Sequence, residues 1–190
     1  MTATQNVPHK IGSGPIRPLK YPHPQLERTA EDIDPESKDA QYIIKQLIHT
    51  MATRTWGGVA GMAAPQIGYS KRIFVVQMYG PFHPKLGRRI TNGPKAFINP
   101  RIIEASYFFT AYEGCFSLEA NKFDYEVKRP KKLTLEYQDI NGETHREDFN
   151  GHAAQVIAHE YDHLEGRLCH SYEGGKRKTA PGGKKPTKTN

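Results

Sequence analysis

The stretch from Ala153 to Leu164 constrains the fold most, because it reads as a helix that is apolar nearly all round and yet carries His159, Glu160, Asp162 and His163. A helix of that composition has to be enclosed by the rest of the chain, and ionisable groups in its middle are costly to bury without partners. His159 and His163 stand at i and i+4, one turn apart on one face, so both imidazoles can reach a single ion. Glu160 lies just off that axis, where a carboxylate can take a proton from water and pass it to a leaving amine. A metal ion removes the burial penalty; the other reading is two histidines and a glutamate on a partly exposed helix. Asn150 or Gly151 opens this helix, and Gly166 stops it.

Two histidines leave the site open, and a third ligand has to come from elsewhere. The chain has two cysteines, Cys115 and Cys169, far too few for a disulfide framework, so a reducing compartment is expected and each thiol needs its own explanation. Cys115 sits in Glu113-Gly114-Cys115-Phe116-Ser117, where the small residue before it lets backbone approach closely. Cys169 follows the helix, and His159 to Cys169 reads H-E-x-x-H-x-x-G-x-x-C, one residue type away from a metzincin protease pattern. That pattern needs a methionine-bearing turn further on, and the last methionine is Met78. Thiolate and imidazole together suit zinc or ferrous iron, and ligand type does not choose between them.

The 190 residues fit one domain. No run approaches the roughly 18 apolar residues needed to cross a bilayer, and the first residues hold no apolar run of signal-peptide length, so a cytoplasmic or equivalent reducing location is expected. Residues 172–190 form a basic tail expected to be disordered. Residues 171–190 carry six basic side chains against Glu173, a net +5 of the chain's +7, leaving the body near +2. Such a tail is either solvated or a tether to the ribosome, RNA or another polyanion. Residues 1–14 read as a flexible arm, and residues 15–171 as the catalytic domain.

Within that domain, the proline-rich segment from Gly14 to Leu26 reads as extended on the surface. Asp34 before Pro35 marks a helix start, followed by Ala40, Ile43, Ile44, Leu47, Ile48 and Met51 at one-face spacing. Strands are expected at Arg72–Met78 and Ala96–Ile103. A hairpin is expected around Asn141-Gly142, the dipeptide that favours a type I′ turn. The class is α+β, with mixed, mainly antiparallel sheets around the central metal-binding helix.

Three stretches then stand in a fixed order: Val59-Ala60-Gly61-Met62-Ala63-Ala64-Pro65-Gln66, Glu113 to Ser117, and His159 to His163. They resemble the three motifs of the peptide deformylase family, G-x-G-Φ-A-A-x-Q, E-G-C-Φ-S and H-E-x-D-H. Tyr21-Pro22-His23-Pro24-Gln25-Leu26 is similar to the family's N-terminal arm, and Ile98-Asn99-Pro100 to its middle strand. Val59 stands where the family has the first glycine, and Glu119 to Phe123 lacks the usual proline.

The resemblance implies removal of the formyl group from the N-terminal methionine of newly made chains, with N-formylmethionyl peptides as substrates and formate as product; no membrane partner is expected, given the lack of a long apolar run. It implies Cys115, His159 and His163 as metal ligands with water in the fourth position, and Glu160 as general acid and base. The Gln66 side chain and the backbone N–H of Phe116 are implied as donors to the formyl oxygen, and the main chain of Val59, Ala60 and Gly61 as the edge on which substrate adds as a strand. The implied metal is Fe2+, with Zn2+, Ni2+ or Co2+ as alternatives. Asp162 is left with three readings: orienting a histidine, pairing with Arg129, or surface exposure.

Overall fold

The computed structural model describes residues 14–53, 60–83, 88–118 and 125–172. The arm before residue 14, Val59, residues 119–124 and the tail from 173 lie outside the described residues.

Strand β2 (Ile73–His83) carries the run Ile73-Phe74-Val75-Val76, and both of its faces are used. Phe74 and Val76 pack with Phe97, Leu133, Leu135 and Ile157, while Ile73 and Val75 pack with Ile43, Leu47, Met62 and Ile98. A continuous apolar run is what a strand covered on both sides requires. The first set lies under helix α2 (His152–Leu164) and the second under helix α1 (Lys38–Ala52). The sheet is therefore a middle layer between two helices. Fully burying each of these large side chains contributes about 1.5–3 kcal/mol.

The other strands are β1 (Gly61–Ala63), β3 (Arg88–Glu113), β4 (Tyr125–Gln138) and β5 (Thr144–Asn150). They pair in sequence order, β1-β2-β3-β4-β5, and every ladder is antiparallel. The only parallel pairing among the described residues is the single bridge Glu31–Lys71. The α+β class is as expected. The strand expected at Ala96–Ile103 is the middle of the much longer β3. Its left-handed residues Asn99 (φ 49°) and Tyr107 (φ 55°) bend it without ending it. One half of β3 pairs with β2 and the other with β4, so its final residues reach the site.

Two local expectations are corrected. Helix α1 starts at Lys38, and its N-cap is Ser37, whose Oγ accepts from Ala40 N at 3.1 Å. Asp34 instead closes the preceding turn, accepting from Glu36 N at 3.1 Å, because an aspartate side chain satisfies local N–H groups as readily in a turn as at a cap. The β4–β5 connection is not a type I′ turn, since only Gly142 (φ 77°) has positive φ and Asn141 does not. The Asp139 carboxylate accepts from Asn141 N (2.9 Å) and Glu143 N (3.1 Å). Gly142 N bonds Asp139 O at 3.1 Å, giving a turn closed by a left-handed glycine.

Helix α2 begins after Gly151 and ends as the sequence suggests. Gly166 (φ 67°) bonds His163 O, and Arg167 N reaches Asp162 O at 2.8 Å, the paired bonds of a glycine-terminated helix. The proline-rich segment is extended up to a short 3-10 turn at Pro24–Glu27, and Leu26 is fully buried rather than on the surface. The backbone that follows this turn runs against Gly166, where a Cβ would lie 2.6 Å from the carbonyl carbon and oxygen of Glu27. Gly166→Ala is therefore expected to destabilise the fold by about 2–4 kcal/mol, read as a fall of roughly 5–15 °C in the thermal midpoint.

Candidate metal centre

Helix α2 runs beneath the sheet with His163 buried and His159 nearly so, and β3 delivers Cys115 two residues after its last paired position, Glu113. The Cys115 Sγ lies 3.4 Å from His163 Nε2. The ligand atoms of Cys115, His159 and His163 all fall within 4.8 Å of one another. Burial raises the Cys115 thiol pKa, but the charge of His163 and hydrogen bonds from both imidazoles outweigh it and hold the thiol well below its ordinary value. The thiolate is the form that binds metal. A thiolate and two imidazoles converging from one side, with a carboxylate alongside, fit a divalent ion that keeps one position open.

Glu160 is buried, and its Oε2 has no hydrogen-bond partner among the described residues. Burial is the main cause that pushes its pKa up to about 7, against the charges of His159 and His163. Its carboxylate packs directly on Gly61, where a Cβ would come within 2.7 Å of Glu160 Oε1 and 2.8 Å of its Cγ. The space beside the Gly61 Cα belongs to Glu160.

Gln66 is anchored through Oε1, which accepts from Ala63 N at 2.9 Å. That fixes which end of the amide is the donor. Nε2 points to Ser117 Oγ (3.3 Å) and Cys115 Sγ (3.8 Å). Phe116 is half-buried, and nothing among the described residues accepts from its N–H. Both donors thus lie beside the cysteine.

Sequence reasoning missed Glu113, which is 4% exposed and holds the centre together. Arg129 grips it with two bonds, Nε to Oε1 at 2.9 Å and Nη2 to Oε2 at 2.8 Å. Oε2 also meets His159 Nδ1 at 2.9 Å, and Gln155 Nε2 donates to Oε1 at 3.2 Å. Burial raises the Glu113 pKa, but hydrogen bonds from His159 and Arg129 hold it well below the usual carboxylate range. With Nδ1 committed to this carboxylate, His159 offers Nε2 as its ligand atom. Arg129 then reaches Asp162 Oδ2 at 2.5 Å, and Tyr172 OH donates to the same oxygen at 2.7 Å. Of the three readings of Asp162, pairing with Arg129 is the one observed. The available signal for Glu113 was its place two residues before Cys115 in the second motif.

Cys169 lies on the far side of His159, its Sγ 3.5 Å from Nδ1 and 3.8 Å from Glu113 Oε2. Glu113, His159 and Cys169 form a second close group, but both oxygens of that carboxylate are already taken by Arg129. Burial pushes the Cys169 thiol pKa up, opposite to Cys115. The structure therefore brings Cys115, and not Cys169, together with both histidines. Ala60 and Gly61 sit at the β1 edge of the same site, and Val59 falls outside the described residues.

Comparison with known proteins identifies relatives of the whole described fold. The family model described as polypeptide deformylase matches residues 17–177. Peptide deformylase of Erythrobacter litoralis is 33% identical over 169 residues, covering 79% of this chain and 84% of that protein. The crystal structure of peptide deformylase from Thermotoga maritima superposes with a TM-score of 0.67 at 35% identity, over 81% of this chain and 94% of that one. A Met-Ala-Ser-bound peptide deformylase of class I type b from Acinetobacter baumannii gives a TM-score of 0.70 at 27% identity, over 83% and 97%.

Removing Glu113 leaves the Arg129 guanidinium buried beside a single carboxylate. Glu113→Ala is expected to cost about 3–5 kcal/mol in urea denaturation and to weaken zinc affinity by roughly 10–100-fold in a competition titration.

Proposed function

The chain belongs to the polypeptide deformylase family, and on that premise we propose a division of labour among the residues of its centre. The enzyme hydrolyses the N-formyl group of nascent peptides and releases formate. Cys115, His159 and His163 hold one divalent ion, taken to be Fe2+, with Zn2+, Ni2+ and Co2+ able to use the same donors. When bound, the ion supplies Lewis acidity that lets water ionise near neutral pH.

The observation that carries the reading is Glu160, a buried carboxylate with an unpartnered oxygen seated next to two histidine ligands. It receives the proton of the attacking water at a carboxylate oxygen and delivers it to the departing amine nitrogen. Because Glu160 rests against the Cβ-less face of Gly61, its carboxylate is held in place while Oε2, which has no hydrogen-bond partner among the described residues, stays available for the proton. Gln66 donates Nε2–H and Phe116 its backbone N–H to the formyl oxygen as negative charge develops there. The Gln66 amide stays neutral, so it adds no charge that would compete with Glu160.

Substrate docks along β1. Ala60 O accepts from Gln77 N at 2.8 Å, so Ala60–Gln77 is the hydrogen-bonded pair, and Gly61–Val76 is the pair whose backbone groups face away from β2. Gly61 therefore turns its N–H and C=O to the open sheet edge, where a peptide main chain adds as a strand. Ala60 leads into that edge, and the family motif assigns Val59 to the same substrate strand. A reducing compartment such as the cytoplasm suits a thiolate ligand. The basic tail beyond residue 172 offers a polyanion tether to the ribosome or other RNA, and no described helix is long and apolar enough to cross a membrane.

Formate release from a formyl-Met-Ala peptide by anaerobically prepared protein tests the assignment. Wild type and Cys169→Ala should be active, whereas Cys115→Ala and Glu160→Ala should lose roughly 10³-fold or more. Metal analysis should find close to stoichiometric iron in wild type; activity surviving in Cys115→Ala would overturn the ligand set. Gly61→Ala should keep its metal but lose about 10²-fold in kcat, since an added Cβ displaces Glu160; unchanged kcat would refute that packing role.

A further inference from the structure

Residues 19, 20 and 21 bind three different backbone carbonyls, all within the loops that carry the two proposed oxyanion donors. Leu19 N bonds Gln66 O at 2.7 Å, Tyr21 N bonds Ser117 O at 2.7 Å, and the Lys20 ammonium bonds Phe116 O. The alternation of an extended segment makes this arrangement work. Leu19 and Tyr21 pack into the cluster around Cys115, Leu118, Val127 and Leu168, while Lys20 is exposed and turned the other way.

We propose that this segment is a clip that sets the spacing between the Gln66 amide and the Phe116 N–H, with Lys20 as its positioning residue. The proposal rests on the oxyanion reading above. Gln66 and Phe116 come from separate parts of the chain, the turn after β1 and the loop after β3, and no strand pairing joins them. The links between the two loops run from Gln66 Nε2 to Ser117 Oγ and Cys115 Sγ and through residues 19–21. Within the second loop, Leu118 N bonds Cys115 O at 3.1 Å, so Lys20 and Tyr21 take the two carbonyls that this turn leaves over. Donors aimed at a developing charge need placement to about half an ångström. An exposed ammonium adds little to global stability, so its loss should be felt in alignment rather than in folding.

The test compares wild type with Lys20→Met, Lys20→Arg and, as a control for net charge, Lys38→Met on the exposed start of α1. For formyl-Met-Ala-type peptide, Lys20→Met should lower kcat about tenfold with KM within twofold and an unchanged thermal midpoint. Amide hydrogen exchange across residues 115–118 should rise. Lys20→Arg should restore both readings, and Lys38→Met should alter neither. Unchanged kcat or unchanged exchange in Lys20→Met would overturn the proposal. So would a rise in KM, which would make Lys20 a substrate contact, or a fall in thermal midpoint matching the loss of kcat, which would make it merely structural. If wild type released no formate, the deformylase assignment itself would fail, and the exchange data would still decide whether Lys20 holds the loop.

Discussion

The bidentate grip of Arg129 on Glu113 is the interaction on which the centre depends. Both residues are buried on paired strands, β3 and β4, and the guanidinium extends to Asp162 on α2. One cation thus ties two strands and the helix that supplies both histidines. A buried ion pair contributes little net stability, because desolvation offsets most of the attraction. Its value here is orientation. A carboxylate held from behind by Arg129 presents one oxygen to His159 Nδ1 at 2.9 Å, which fixes both the tautomer and the ring plane.

The layered fold makes the convergence of the site residues achievable. Gly61 and Gln66 lie on and just after the edge strand, Cys115 lies where β3 ends, and α2 crosses beneath them with His159, Glu160 and His163 on a short arc. Each arrives on a rigid element or within a few residues of one, and β2 is clamped between two apolar layers. Gly61 shows how tightly this is tuned, since a single missing carbon makes room for the Glu160 carboxylate.

What the sequence revealed followed from periodicity and spacing. The apolar pattern of α2 and the i, i+4 histidines were legible because they are properties of one helix. Residues of α1 expected in the core, such as Ile43 and Leu47, are buried. The failures share a different cause. The full length of β3 was hidden because its two halves face different neighbours, so no single alternation runs through it. The hairpin turn was misjudged because Asp139, two residues upstream, competes for the N–H groups of the turn. Glu113 and Arg129 stood in plain view as an acid and a base, but the register sets Glu113 opposite Tyr125 and Arg129 opposite Phe109, so they meet only through their side chains in the folded sheet. Sequence carries no direct mark of such a contact.

The segment that precedes α1 also bears on the order in which the chain can assemble. Its partners include Thr50 for Ile16, Gln66 for Leu19, Ser117 for Tyr21, and Leu164 for Ala30, whose N–H bonds the Leu164 carbonyl at 2.7 Å. These partners emerge progressively later during synthesis from the N-terminal end. The segment therefore leaves the ribosome before its partners and is fastened in steps, from Thr50 for Ile16 and Ser70 for Glu31 onward, with closure of the longest loop coming last. Until residues 164–166 have been made, the buried Leu26 and the apolar underside of the sheet lack their final cover. An enzyme that acts on nascent chains is, during its own synthesis, a chain whose leading segment is fastened stepwise from its N-terminal side, with Ala30 secured last.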